Sequence, residues 1–206
     1  LLFISLIGVP AAALAATPVA TPAGYAHPEW LADAAWLGQQ LHDDKVAVIA
    51  LTPPADFAKA HIPGAVQVDW PGLALSESAQ IADWRTQMET LLTKLGIERS
   101  DTVVIYDGGT LYAPRLWWIL YQLGHQDIRI LNGGLPAWNA AGLTVETGTV
   151  TPQPAAEPYV GQPNDDAIVT VDEVVAALGD SNTVLVDART KDEYAKGHIP
   201  GAVLFP

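Results

Sequence analysis

The sequence predicts an α/β protein, a parallel sheet flanked by helices, with the whole unit duplicated and its second copy truncated. Three observations carry that expectation. Short runs of β-branched and apolar residues alternate with segments of helical period, which is the grammar of strand–helix–strand crossovers. The strand-like runs lack polar alternation, so each is expected to be covered on both faces, as in a parallel sheet. Finally, Asp56-Phe57-Ala58-Lys59-Ala60-His61-Ile62-Pro63-Gly64-Ala65-Val66 returns as Glu193-Tyr194-Ala195-Lys196-Gly197-His198-Ile199-Pro200-Gly201-Ala202-Val203, 137 positions later. A repeat at that spacing marks a duplicated domain.

The elements follow in order. Residues 1–16 form an apolar run, LLFISLIGVPAAALAA, shorter than the roughly 20 residues of a membrane-spanning helix. Ala13-Leu14-Ala15 has the small-x-small form of a signal-peptidase site. A signal peptide over 1–15 is therefore expected, in a chain exported to the periplasm or beyond. The initiating Met is missing, so the N-terminus is expected to be incomplete. Residues 16–24, rich in Ala, Thr and Pro, read as a flexible lead-in. Residues 27–41 carry Trp30, Leu31, Ala34, Trp36, Leu37 and Leu41 at helical spacing. Residues 46–51 then read as a strand, 81–95 as a helix, 102–106 as a strand, 112–123 as a helix and 128–131 as a strand. Pro152, Pro154, Pro158 and Pro163 mark a semi-rigid linker. After it, Thr170 and Glu173 have the spacing of a capping box, and a strand is expected over 183–186. The expected organisation is a first domain over 25–148, a linker over 149–166, and the N-terminal part of a second domain over 167–206.

Composition narrows the function. Half the residues are hydrophobic and 7 are Trp, enough to build a core. Against 10 Lys and Arg stand 23 Asp and Glu, and a net charge of −13 repels a phosphate backbone. Nucleic acid is not expected as a partner, nor is a stable membrane anchor. There is no Cys, which excludes disulfides, thiolate metal sites and a thiol nucleophile within these residues.

The repeated motif has a structural reading. Pro63-Gly64 and Pro200-Gly201 supply turns, and His61 and His198 are placed to hydrogen-bond them. Each copy is an aromatic residue, three residues and then His-Ile-Pro-Gly-Ala, and this pattern resembles the rhodanese family from about Tyr25 to the end of the chain. The arrangement is similar to that of the tandem thiosulfate and 3-mercaptopyruvate sulfurtransferases. Asp187-Ala188-Arg189 resembles the family's Asp-x-Arg strand end, read here as an ion pair that pins the following loop. The first copy has Ala50 and Thr52 in the aligned places. Leu131-Asn132-Gly133-Gly134-Leu135-Pro136-Ala137-Trp138 is similar to the segment that follows the family's active-site loop.

The resemblance implies a thiolate cradled by inward-pointing backbone N–H groups ahead of a helix, which carries sulfur as a persulfide. Asp107 stands where the family places that Cys. A carboxylate accepts the same hydrogen bonds but carries no sulfur, so Asp107, Gly108, Gly109 and Thr110 are expected to form a retired active-site loop. The catalytic Cys is then expected beyond Pro206, near position 244 if the repeat offset holds, and these 206 residues alone are expected to be inactive. Arg115 and Arg189 are candidate substrate or cleft contacts. The implied reaction moves a sulfane sulfur from thiosulfate or 3-mercaptopyruvate to a thiol or cyanide, with no cofactor and no metal. Its partners are a small anionic sulfur donor and the acceptor. Two alternatives stay open: a non-catalytic rhodanese-like binding module, and a phosphatase of the related Cys-loop type.

Overall fold

The computed structural model describes residues 25–73, 81–110 and 112–205. The expected signal peptide and lead-in lie outside the described residues.

Five parallel strands build the first repeat: β1 (Leu31–Ala32), β2 (Val46–Leu51), β3 (Val66–Val68), β4 (Thr102–Tyr106) and β5 (Asp127–Leu131), in the spatial order β1-β5-β4-β2-β3. The continuous apolar runs are explained by what lies on each face. Ile49, Leu51, Val103 and Ile105 pack on α3 (Ile81–Lys94) and α4 (Ala113–Gln122), through Trp84, Met88, Leu92, Leu116, Ile119 and Leu120. Their alternating neighbours Val48, Ala50, Val104 and Tyr106 pack on α1 (Ala34–Gln40), α2 (Pro54–Lys59) and α5 (Gly134–Ala140), through Leu37, Phe57 and Trp138. Both parities of the strand are buried, so no polar alternation survives.

The helix expected over 27–41 is broken in the structure. Pro28–Trp30 is a 3-10 turn, Leu31 and Ala32 pair with Ile130 and Leu131 at the sheet edge, and the helix begins only at Ala34. The Asp33 carboxylate accepts from the Trp36 N–H at 2.7 Å and so starts α1 afresh. Trp30 leaves the helical stripe altogether, stacks on His27 and meets Trp117 at a tilt. Helical spacing is therefore produced here by a two-residue strand followed by a capped helix.

In the second repeat, α6 (Val171–Ala177) starts with the capping box of Thr170 and Glu173. The strand expected over 183–186 is found as β6 (Val186–Asp187), and α7 (Lys191–Lys196) and β7 (Val203–Leu204) follow. Ile49 pairs with Val66 and Ala50 with Gln67 in the first repeat, as Val186 pairs with Val203 and Asp187 with Leu204 in the second. All four positions are shifted by the sequence offset, so the duplication extends to strand register. The second pair stands apart from the first sheet, and Val184, Val186, Val203 and Phe205 are more than half exposed.

The proline-rich segment does more than join the repeats. Tyr159 is 4% exposed and belongs to the core against α3 and α4. Along its length the Ala155 N–H donates to the Thr93 carbonyl, Gly161 N–H to the Glu89 carboxylate, and Gln162 and Asn164 N–H to the carbonyls of Leu123 and Gln122. The backbone lies so close to the glycines ending α3 and α4 that a Cβ on Gly96 would stand 2.4 Å from the Gln153 carbonyl oxygen.

Candidate active-site loop

Strand order reverses between β2 and β4: the chain leaves β2 toward β3 on one side and β4 toward β5 on the other. In open parallel sheets the crevice beyond the carboxyl ends at such a point is where ligands bind. Asp107, the residue that follows β4, lies there and is 5% exposed, while Gly108, Gly109 and Thr110 are exposed.

Among the described residues the Asp107 carboxylate accepts five hydrogen bonds. Oδ1 receives the N–H groups of Gly109 at 2.9 Å and Thr110 at 3.0 Å. Oδ2 receives the Thr110 hydroxyl at 2.8 Å and the N–H groups of Ala113 at 3.1 Å and Tyr112 at 3.2 Å. Tyr112 and Ala113 open α4, whose unpaired N–H groups and dipole favour negative charge. Pro114 follows at the first turn, where a missing N–H costs nothing. The loop is thus an anion receptor whose resident anion is its own side chain.

The segment 131–138 braces this receptor from behind. The Leu135 N–H donates to the Asp107 carbonyl at 3.1 Å. Gly134 has φ +57°, and a Cβ there would stand 2.6 Å from the same oxygen, so a glycine is required for the approach.

At the mouth, the rings of Trp70 and Tyr112 stack in parallel at 5.2 Å, both partly exposed. Sequence reasoning missed Trp70. Its signal was a large aromatic inside Asp69-Trp70-Pro71-Gly72, a turn composition where a core residue has no place. Arg115 is exposed, and its guanidinium lies over the Trp118 ring at 5.2 Å. Among the described residues it has no carboxylate partner.

The repeated motif occupies a different place. His61 stacks on Phe57 at 3.9 Å and its Nδ1 lies 2.9 Å from the Phe57 carbonyl; His198 repeats this on Tyr194 at 3.8 Å and 3.0 Å. Pro63 and Pro200 lead into Gly64 and Gly201 at φ +75° and +81°, turns only glycine adopts without strain. The Ile62 N–H donates to the Tyr106 hydroxyl at 3.1 Å, which anchors the motif to β4, and burial pushes that phenol up to about 12. Among the described residues no hydrogen bond connects His61 with the Asp107 loop.

In the second repeat, Arg189 grips Asp187 through Nη2 at 2.6 Å and Nε at 2.9 Å, and Nη2 also donates to the Gly197 carbonyl at 2.8 Å. The pair ties the strand end to the loop before the motif, and the guanidinium holds the Asp187 carboxyl down at about 2. In the first repeat Ala50 is fully buried and Thr52 nearly so, its hydroxyl without a partner among the described residues. The structure therefore brings Asp107, Gly109, Thr110 and Gly134 together. It leaves His61, His198 and the Asp187–Arg189 pair in framework positions.

A buried anion receptor between strand and helix, at the reversal point of a parallel sheet, marks an α/β protein of the open parallel-sheet class. The rhodanese-like domain profile matches residues 33–141 and again 170–206, and the chain belongs to the rhodanese family. It is 33% identical to the thiosulfate sulfurtransferase of Corynebacterium glutamicum, over 87% of this chain and 66% of that protein. It is 29% identical to the 3-mercaptopyruvate sulfurtransferase of Escherichia coli K12, over 86% of this chain and 71% of that protein. Among solved structures, that of SseA, a 3-mercaptopyruvate sulfurtransferase from Escherichia coli, superposes with a TM-score of 0.74 at 28% identity, covering 86% of this chain and 74% of that one.

Proposed function

We propose that the protein is a sulfurtransferase in which a Cys C-terminal to Pro206 takes a sulfur from thiosulfate, releasing sulfite, or from 3-mercaptopyruvate, releasing pyruvate, and passes it from the resulting persulfide to a thiol or cyanide. The observation that carries this reading is the Asp107 receptor: it has the donors that stabilise a thiolate, already satisfied by a side chain that forms no persulfide. Catalysis then belongs to the second repeat. Its Asp187–Arg189 pair supports that assignment, because the first repeat has lost it. The donors of sulfur are the substrates in the relatives' names. We further propose export, on the strength of the apolar residues 1–16 and Ala13-Leu14-Ala15.

A non-catalytic binding module is the second reading, favoured by the absence of Cys from these 206 residues. Sequencing the reading frame past Pro206 separates the two. The sulfurtransferase reading expects a Cys within about ten residues of position 244, between an apolar strand and a helix. It also expects thiocyanate formation from thiosulfate and cyanide that is abolished by changing that Cys to Ser. Ser, Asp or Gly in that loop would leave the binding module.

A further inference from the structure

We propose that residues 153–165 are a strap belonging to the first repeat, fastened by an acid-sensitive catch between the buried side chains of His125 and Tyr159. The strap is bonded at both ends and in the middle. Besides the backbone bonds above, the Tyr159 N–H donates to the Thr93 hydroxyl at 2.8 Å, Arg99 donates to the Gln162 side chain at 2.8 Å, and Arg85 donates to Asp165 at 2.8 Å. Beyond Asp165 the described bonds of the next residues are local turn bonds, and α6 begins at Val171. While the strap is fastened, the tether between the repeats is only about four residues; released, it is about seventeen, with a reach of roughly 3.3–3.6 Å for each residue.

The catch works through one proton. His125 and Tyr159 are both 4% exposed. Nε2 of His125 lies 2.8 Å from the Asp101 backbone carbonyl, which only accepts, so Nε2 carries the hydrogen. Nδ1 is then the acceptor for the Tyr159 hydroxyl at 2.9 Å. A second proton on the imidazole turns Nδ1 into a donor facing a donor. The hydroxyl must rotate, and the one bond its hydrogen makes among the described residues is lost. Burial drives the phenol up to about 12, so it stays a donor across the physiological range.

The charged groups around the pair oppose one another. Asp101 and Asp127 favour the imidazolium and Arg99 disfavours it, while Arg99 and Glu89 face Tyr159 with opposite signs. Lys45 draws on the Asp101 carboxylate at 3.7 Å from the far side. Desolvation outweighs the attraction and holds the imidazole below its usual range. The released strap, with His125 in water near its ordinary value of about 6.5, binds the proton more readily than the fastened one. Fastening is thus complete above about 6.5 and weakens as pH falls below it.

Amide exchange of the full 206-residue chain tests this. Protection factors are measured near pH 7.5 and pH 5.5, with intrinsic rates corrected at each pH, for the strap amides of Ala155, Tyr159, Gly161, Gln162 and Asn164. The amides of Val103 to Ile105 in β4 serve as the internal reference. Strap protection falls several-fold at the lower pH, with about tenfold as the ceiling for one unit below 6.5, while β4 changes little. In His125→Gln, which keeps a donor and an acceptor but does not titrate, the fall is lost. Unchanged strap protection in the wild type, or the same fall in His125→Gln, overturns the proposal. The ring resonances of His125 in the wild-type chain give an independent reading that needs no variant: a titration midpoint below 6.5 is expected, and one at or above 6.5 overturns the catch.

Discussion

Replacing Asp107 with alanine is expected to destabilise the first repeat by about 2–4 kcal/mol in urea unfolding. Five donors lose one shared acceptor, and each donor left unsatisfied in a buried setting costs roughly 1–3 kcal/mol. Water reaching the exposed glycine side of the loop offsets part of that sum. The same change opens the receptor, so sulfate or thiosulfate at millimolar concentration is expected to raise the melting temperature of Asp107→Ala and leave the wild type unmoved. Loss of stability without any rescue by oxyanions would mean that the loop collapses when the carboxylate is removed, and that it is not a receptor in its own right.

Gly134→Ala is expected to cost about 3 kcal/mol, far more than an alanine at another left-handed glycine. At Gly142, φ is +70° and the space around a Cβ is empty, so Gly142→Ala carries the backbone penalty alone, about 1 kcal/mol. At Gly134, φ is +57° and the Cβ stands 2.6 Å from the Asp107 carbonyl oxygen, which itself accepts the Leu135 N–H. The loop must move away from its brace to make room. Equal losses at the two positions, measured by chemical denaturation, would show that the contact with Asp107 adds nothing.

What was legible in the sequence divides along physical lines. Residues 48–51 and 103–106 are buried on both faces, and the apolar runs end where β2 and β4 end. The capping box at Thr170 was readable because its partners are three residues apart. β1 was not, because two residues of strand leave no period to detect and a sheet edge is made by Ile130 and Leu131, a hundred residues away. The receptor shows the same limit. Asp107 could be placed at the head of a glycine-rich loop after a strand, but the brace from Gly134 and the ring of Trp70 on Tyr112 are contacts between distant segments. The prolines of the linker suggested stiffness. They did not suggest that Tyr159 enters the core of the first repeat, since a lone aromatic between prolines has no pattern to announce its burial.

The sulfurtransferase proposal treats the loop around Asp107 as a cradle that one side chain keeps from carrying sulfur. Intact mass after incubation with thiosulfate and removal of excess reagent tests it most directly, on the wild-type chain and on Asp107→Cys. The wild type is expected to keep its mass, and Asp107→Cys to gain from thiosulfate, with sulfite as the leaving group, one sulfur atom that cyanide removes as thiocyanate, because the same donors and the α4 dipole lower the thiol's pKa and hold the resulting persulfide. A sulfur gained by the wild type, or an Asp107→Cys chain that folds and remains unmodified, would show that the loop is not such a cradle.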